Sequence, residues 1–287
     1  MALRDIIDGA AVQLLRLVPG SWARRVRRGL RDAAWLRHAD AVIISFPKSG
    51  RTFVRAMLSR LFQRRFGIDE RRLLEFPMLL RAAPGVPRLL FTHAGDAMRT
   101  ADEIYLDPAD YEHCRVVLLV RHPGDVAVSR YHHLKHRSRD RARRRLAGQP
   151  LETFVWSEQG DIPAIVRFMN QWAELARERT DVGIVRYEDF LSDPRSTLGD
   201  LASKIGITVD QADIADAAEF GALPNLKQRE REGYFQSSRL RAAKKGDDAS
   251  YKVRSGSSGG YRKQLSPDNA AKVDVFVGDK LDPIFGY

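Results

Sequence analysis

The chain has a single cysteine, Cys114, in 287 residues. That excludes an intrachain disulfide and any Cys-rich metal site, and it fits a reducing, cytoplasmic setting. Long apolar runs are also missing, since no stretch approaches the roughly 18 residues of a membrane-crossing helix. A secretory leader is not expected either: Asp5 and Asp8 stand where the basic region should be, and Arg16 interrupts the apolar stretch. Acidic residues are the minority, 37 against 48 basic, for a net charge of +11. The excess favours an anionic partner, whether a phosphorylated cofactor, an acidic polymer or a membrane surface, without choosing among them. His132, His133 and His136 form the densest histidine group. No carboxylate or cysteine completes a ligand set around them, so no metal is assigned.

The hydrophobic share of 44% and charged share of 30% suit one large α/β domain over residues 39–287 with a small appendage, residues 1–38. In the appendage, Leu3, Ile6, Ile7, Ala10, Leu14 and Leu17 share a helical face. After Pro19-Gly20 a second helix sets Trp22, Val26 and Leu30 against Arg24, Arg25, Arg27, Arg28 and Arg31. This amphipathic basic hairpin either lies on an anionic membrane through residues 3–31 or packs on the domain with its basic face in solvent.

Strand-like runs recur at residues 41–45, 88–92, 116–120 and 183–186, with helical patterns between the later ones. That alternation predicts a three-layer α/β fold: a central parallel sheet with helices on both faces. Asp193-Pro194 reads as the start of a helix closed by Gly206, and Ser266-Pro267-Asp268 as the start of a last helix carrying Val273, Phe276 and Val277. Two stretches read as irregular, the arginine-rich residues 137–149 and the polar residues 228–262. A loop as long as the second is expected to be functional or disordered.

The most informative segment is Ser45-Phe46-Pro47-Lys48-Ser49-Gly50-Arg51-Thr52-Phe53. It joins the apolar run ending at Ile44 to an amphipathic helix pattern of Val54, Met57, Leu58, Leu61 and Phe62. A strand that turns through such a loop into a helix offers an anion the first-turn N–H groups and the helix dipole. Lys48 adds a charge, and Ser49 and Thr52 add hydroxyls. The ATP-binding pattern G-x-x-x-x-G-K-[ST] is broken by Ser45 and by Arg51, so a phosphate ligand is expected but Mg-ATP is not. The run Val116–Val120 ends in Arg121 where ATP- and GTP-hydrolysing enzymes of this architecture place a magnesium-binding Asp. A guanidinium there suits a second phosphate, and Ser129 on the following helix could meet it.

In these motifs the chain resembles the PAPS-dependent sulfotransferases, a family of P-loop-like fold whose donor is 3′-phosphoadenosine 5′-phosphosulfate. Residues 47–53 match the family's P-K-[ST]-G-[TS]-[TS]-[WFL] at every position but Arg51. Arg121, Pro123, Asp125 and Ser129 match R-x-P-x-D-x-x-x-S; Tyr187-Glu188-Asp189 matches Y-E-D; Arg254, Gly256, Gly259 and Tyr261 match R-[KR]-G-x-x-G-x-[WY], with Ser255 departing. The resemblance implies that Lys48 stabilises the leaving oxygen, that Phe53 and Tyr187 flank the adenine, and that Arg121, Ser129 and Arg254 clamp the 3′-phosphate. It assigns the donor to Lys48, Ser49, Gly50, Arg51, Thr52, Phe53, Arg121, Ser129, Tyr187, Phe220, Arg254, Ser255 and Gly256, with no metal. His93 follows a strand in the place of the family's P-R-x-x-K-T-H base, with Phe91 where that segment has Lys. Glu75 and Asp96 are the alternative bases. The acceptor is expected to be a hydroxyl on a carbohydrate, lipid-linked saccharide, phenol or small alcohol, less readily an amine. A divergent nucleotide kinase and a basic nucleic-acid-binding protein are the competing readings. The first is opposed by Arg121, the second by the lack of any recognition signature.

Overall fold

The computed structural model describes residues 21–94, 107–138, 144–145, 147–157, 161–240 and 256–287. Several calls from the sequence lie wholly or partly outside them: the first helix of the hairpin, Asp96, Arg254, Ser255, and parts of the two stretches read as irregular, residues 139–143, 146 and 241–255.

In chain order the main elements are α1 (Ser21–Leu36), β1 (Ala41–Ile44), α2 (Arg51–Phe66), β2 (Leu89–Thr92), β3 (Arg115–Val120) and α3 (Pro123–Arg137). They continue with α4 (Ile162–Glu178), β4 (Val182–Arg186), α5 (Tyr187–Ser192), α6 (Pro194–Lys204), α7 (Gln211–Gly221), α8 (Leu223–Glu232) and α9 (Pro267–Lys280). The strands form a parallel sheet of order β2-β1-β3-β4, with Ile44 beside Thr92 and Ala41 beside Arg115. The expected three-layer architecture is present, and each strand starts and ends within a residue of its apolar run.

Alternation along the strands feeds two cores. Val42, Ile44, Val116, Leu118 and Val120 face a cluster with Val126, Trp172 and Val273 of α3, α4 and α9. Ala41, Ile43, Val117 and Leu119 face Met57, Leu58, Leu198 and Ala217 of α2, α6 and α7. The chain leaves β1 over one face and β3 over the other. Order 2-1-3-4 therefore places a topological switch between β1 and β3, where open α/β sheets bind ligands at their carboxyl ends.

The helix starts follow their caps. Asp193 accepts the N–H of Ser196 at 3.1 Å and Ser266 that of Asn269 at 3.4 Å. The helix α1 docks at its C-terminal turn: Leu36 is buried and Trp35 packs 5.6 Å from the ring of Phe76. One expectation needs correction. The polar stretch after Gln228 begins inside a helix, α8, and its described residues include buried Phe235, Leu240 and Tyr261. Leu226, Phe235 and Leu240 join Phe220 and Leu73 in a third apolar cluster that anchors this stretch.

Candidate active site

Between Ile44 and Arg51 the backbone turns through two left-handed residues, Lys48 (φ 85°) and Gly50 (φ 89°). Gly50 is required twice over, because a Cβ there would lie 2.2 Å from Cδ2 of Tyr187. Lys48 holds the same conformation with a side chain, at a cost of about 1–2 kcal/mol. Ser49 N–H donates to Phe46 O at 3.2 Å, and Phe53 and Val54 N–H return to Gly50 O at 2.9 and 3.2 Å. The N–H groups just ahead of them, at the open end of α2, have no intrahelical carbonyl to bond. This end faces the sheet's switch point.

Arg121 enters from the end of β3. Its Nη1 donates to Lys48 O at 3.4 Å, its Nη2 to Ser257 O at 3.0 Å, and its guanidinium lies 4.6 Å over the Tyr187 ring. Its Nε is buried without an acceptor. One side chain thus touches the lysine loop, the Tyr-Glu-Asp segment and the glycine-rich segment near the C-terminus. An orphaned cationic donor at that junction fits a phosphate ligand.

Aromatic rings close one side. Phe53 sits edge-on to Tyr187 at 5.8 Å and to Phe190 at 6.2 Å. Phe220 is buried in the cluster against which Phe53 packs, and Arg229 covers its ring at 4.2 Å. Ser129 is half-buried on α3.

Asp125, 3% exposed, is the tether that the motif contains but that sequence reasoning left without a role. Its carboxylate accepts the N–H groups of Gly259 and Tyr261 at 2.9 and 3.0 Å, and Arg121 Nη2 lies 3.7 Å away. The Tyr261 ring lies over Gly124, where a Cβ would be 2.8 Å from its Cγ, and the same ring stacks on His122 at 4.7 Å. Gly256 is left-handed (φ 57°), and a Cβ there would meet Leu223 Cδ1 at 2.0 Å. Glu188 accepts His122 N–H at 3.0 Å and the Tyr287 hydroxyl at 2.7 Å. The fixed Asp, Glu and Gly letters of the motifs were the available signal for these contacts. Burial holds His122 down to about 4 against its ordinary 6.5, so its ring is neutral.

His93 follows β2 with Nδ1 2.6 Å from Ser45 O and Nε2 2.6 Å from Arg51 Nη2. A carbonyl only accepts and a guanidinium only donates, so the proton sits on Nδ1 and Nε2 keeps its lone pair. The motif mismatch Arg51 thereby reaches the candidate base, a contact 42 residues apart that the motif could not reveal. Glu75 is already engaged: its Oε1 accepts from Ser237 Oγ at 3.2 Å and Arg239 Nη1 at 3.3 Å. Its Oε2 faces Arg72 Nη2 at 3.7 Å.

Among the described residues no helix is long and apolar enough to cross a membrane, and no three His, Cys, Asp or Glu gather as a metal-ligating group. Residues 38–284 match the model of the sulfotransferase domain. Cytosolic sulfotransferase 3 of Arabidopsis thaliana is 24% identical over 252 residues, covering 84% of this chain and 76% of that protein. The fold is similar to mouse sulfotransferase SULT7A1 complexed with PAP, with TM-score 0.59, 17% identity and 85% of each chain covered. It is also similar to retinol dehydratase in a complex with retinol and PAP, with TM-score 0.59, 17% identity, and 88% of this chain and 86% of that one covered. With the family's motifs gathered at the switch point of a matching sheet, the chain belongs to the sulfotransferase-domain family, the PAPS-dependent sulfotransferases.

Proposed function

We propose that this enzyme moves the sulfuryl group of PAPS to an acceptor hydroxyl by in-line displacement, with His93 as general base, and releases adenosine 3′,5′-bisphosphate. The observation that carries the reading is Arg121, whose guanidinium joins Lys48 O, the Tyr187 ring and Ser257 O. When bound, PAPS supplies the activated sulfuryl group and the leaving bisphosphate. Around it, the open end of α2 with Ser49, Gly50 and Thr52 holds the 5′ side, and Phe53 and Tyr187 flank the base. Arg121, Ser129 and Arg254 hold the 3′-phosphate, each charge-assisted bond contributing about 1.5–3 kcal/mol. Lys48 neutralises charge on the departing oxygen, which is where a loose transition state accumulates it.

Two contacts support His93 as the base. Ser45 O fixes the Nδ1–H tautomer, and Arg51 keeps Nε2 in the unprotonated form that a base needs. Arg51 also brings a cation to a place where the strand offers only Phe91. For an acceptor proton to reach Nε2, the guanidinium has to give up its bond there, and it is then placed to face the transferring group. Glu75, with its oxygens turned to two arginines and a serine, is the poorer candidate. Relatives named as cytosolic sulfotransferases support a cytoplasmic enzyme.

A screen of hydroxyl acceptors with PAPS, read by mass spectrometry for the sulfated product, tests the reading. Lys48→Ala is expected to lower kcat at least about 100-fold, the loss typical of a transition-state charge stabiliser. Wild-type turnover by that variant would remove Lys48 from the chemistry.

A further inference from the structure

One turn along α2 from Arg51 lies a buried cation that the reaction does not use. Arg55 is 4% exposed, and its Nε is buried with no hydrogen-bond partner. Its guanidinium lies 4.0 Å over the ring of Phe91 on β2, two residues before His93, which follows that strand. A ring face attracts a cation by about 0.5–2 kcal/mol, whereas an uncompensated buried charge costs several. The carboxylate that acts on Arg55 is Glu75, but it makes no hydrogen bond to Arg55 and is shared with Arg239, Arg72 and Ser237. Burial, then Arg239 and Arg51, hold the Arg55 guanidinium well below its ordinary range, and Glu75 only partly opposes them. Arg239, whose side chain is 41% exposed, reaches the same carboxylate at 3.3 Å. Arg55, Arg72 and Arg239 therefore share one carboxylate, Glu75, and Arg51, which also acts on Arg55, is bonded to the candidate base.

We infer that Arg55 and Arg239 form an anion subsite next to His93, which takes an acidic group, a carboxylate or a sulfate, carried by the acceptor itself. This deepens the proposed function and rests on His93 being where the acceptor hydroxyl reacts. Arg51, bonded to His93, and Arg55 stand one helical turn apart, so the acceptor class is a hydroxy acid whose acidic group lies apart from the reacting hydroxyl along α2. The acid would complete the charge that Glu75 leaves short, and neutral analogues would leave a buried cation unpaired.

Two measurements test this. The first needs no turnover: thermal melting of the full chain with adenosine 3′,5′-bisphosphate present, with and without phenylacetate or sodium sulfate. Wild type is expected to melt higher with the anion. Arg55→Met, freed of a buried charge, is expected to melt about 2–4 °C above wild type without added anion and to lose the response. Arg239→Gln should weaken the response. Bisphosphate binding by calorimetry reports that each variant is folded. If Arg55→Met instead melts lower and both proteins ignore the anions, Arg55 is a structural cation and the inference is wrong. The second compares phenol, primary-alcohol and sugar acceptors as matched acid and amide pairs. The acid form is expected to be favoured about 10- to 150-fold in kcat/KM in the pair that fits, with the preference lost in Arg55→Met. A melting response to sulfate with acids and amides turned over equally would overturn the acceptor assignment and leave an inorganic-anion site. A wild type that shows the anion response but sulfates no acceptor would count against the sulfotransfer reading alone.

Discussion

Arg51 and His93 illustrate how one side chain sets the chemical state of another. With Ser45 O on one ring nitrogen and a guanidinium on the other, the imidazole is limited to a single tautomer. Losing the guanidinium frees the ring to protonate or turn. Arg51→Thr, which restores the residue type of the family's motif, is expected to lower kcat about 10- to 100-fold, part of the roughly 100- to 10,000-fold that a positioned base contributes. Affinity for adenosine 3′,5′-bisphosphate should change much less, and Arg51→Lys should recover part of the rate. Unchanged kcat in Arg51→Thr would separate the two residues functionally. Sequence motifs single out each of them, but a motif is local, and the bond that explains the mismatch joins the start of α2 to the residue after β2.

At the level of elements, the strands and the helix α2 were legible because burial imposes periodicity: alternating residues of β1 and β3 serve two different cores. The helix α8 was not. Its sequence, LPNLKQRERE, buries Leu226 and the charged Glu230, so its inward face carries no apolar stripe. The phosphate loop was legible as a type, but the docking of residues 256–261 on α3 was not, because that docking runs through backbone N–H groups that every sequence has. Asp125 makes it. In Asp125→Asn an amide donor would oppose one of two N–H donors, which costs about 2–3 kcal/mol. We expect weaker bisphosphate binding by calorimetry and faster proteolysis near residues 256–261. Wild-type behaviour in both would mean that the segment is held by Tyr261 alone.

For the whole molecule, His122 ties stability to pH. It caps α3 by accepting Gly124 N–H at 3.2 Å, stacks on Tyr261 and meets Tyr287 edge-on at 5.4 Å. Its folded-state value of about 4 lies below the ordinary 6.5, so the unfolded chain takes up this proton first as pH falls. The stability it contributes is complete above about pH 6.5 and drains away towards pH 4, on the order of 3 kcal/mol in all. Urea midpoints at intervals between pH 7 and 4 should show this slope, and His122→Asn, which keeps a capping acceptor, should flatten it. An equal slope in the variant would assign the acid sensitivity to other groups.

The contacts of Arg121 reach back 73 residues to Lys48 and forward 136 to Ser257. A chain emerging from the ribosome therefore carries the lysine loop long before it carries the partner segment that completes the clamp. The proposed donor pocket is among the last features that folding can assemble, because its closure waits on contacts of long sequence separation. A donor that binds only the finished arrangement stabilises it by mass action. In a cell, the supply of PAPS would then act on the lifetime of the newly made enzyme as well as on its rate.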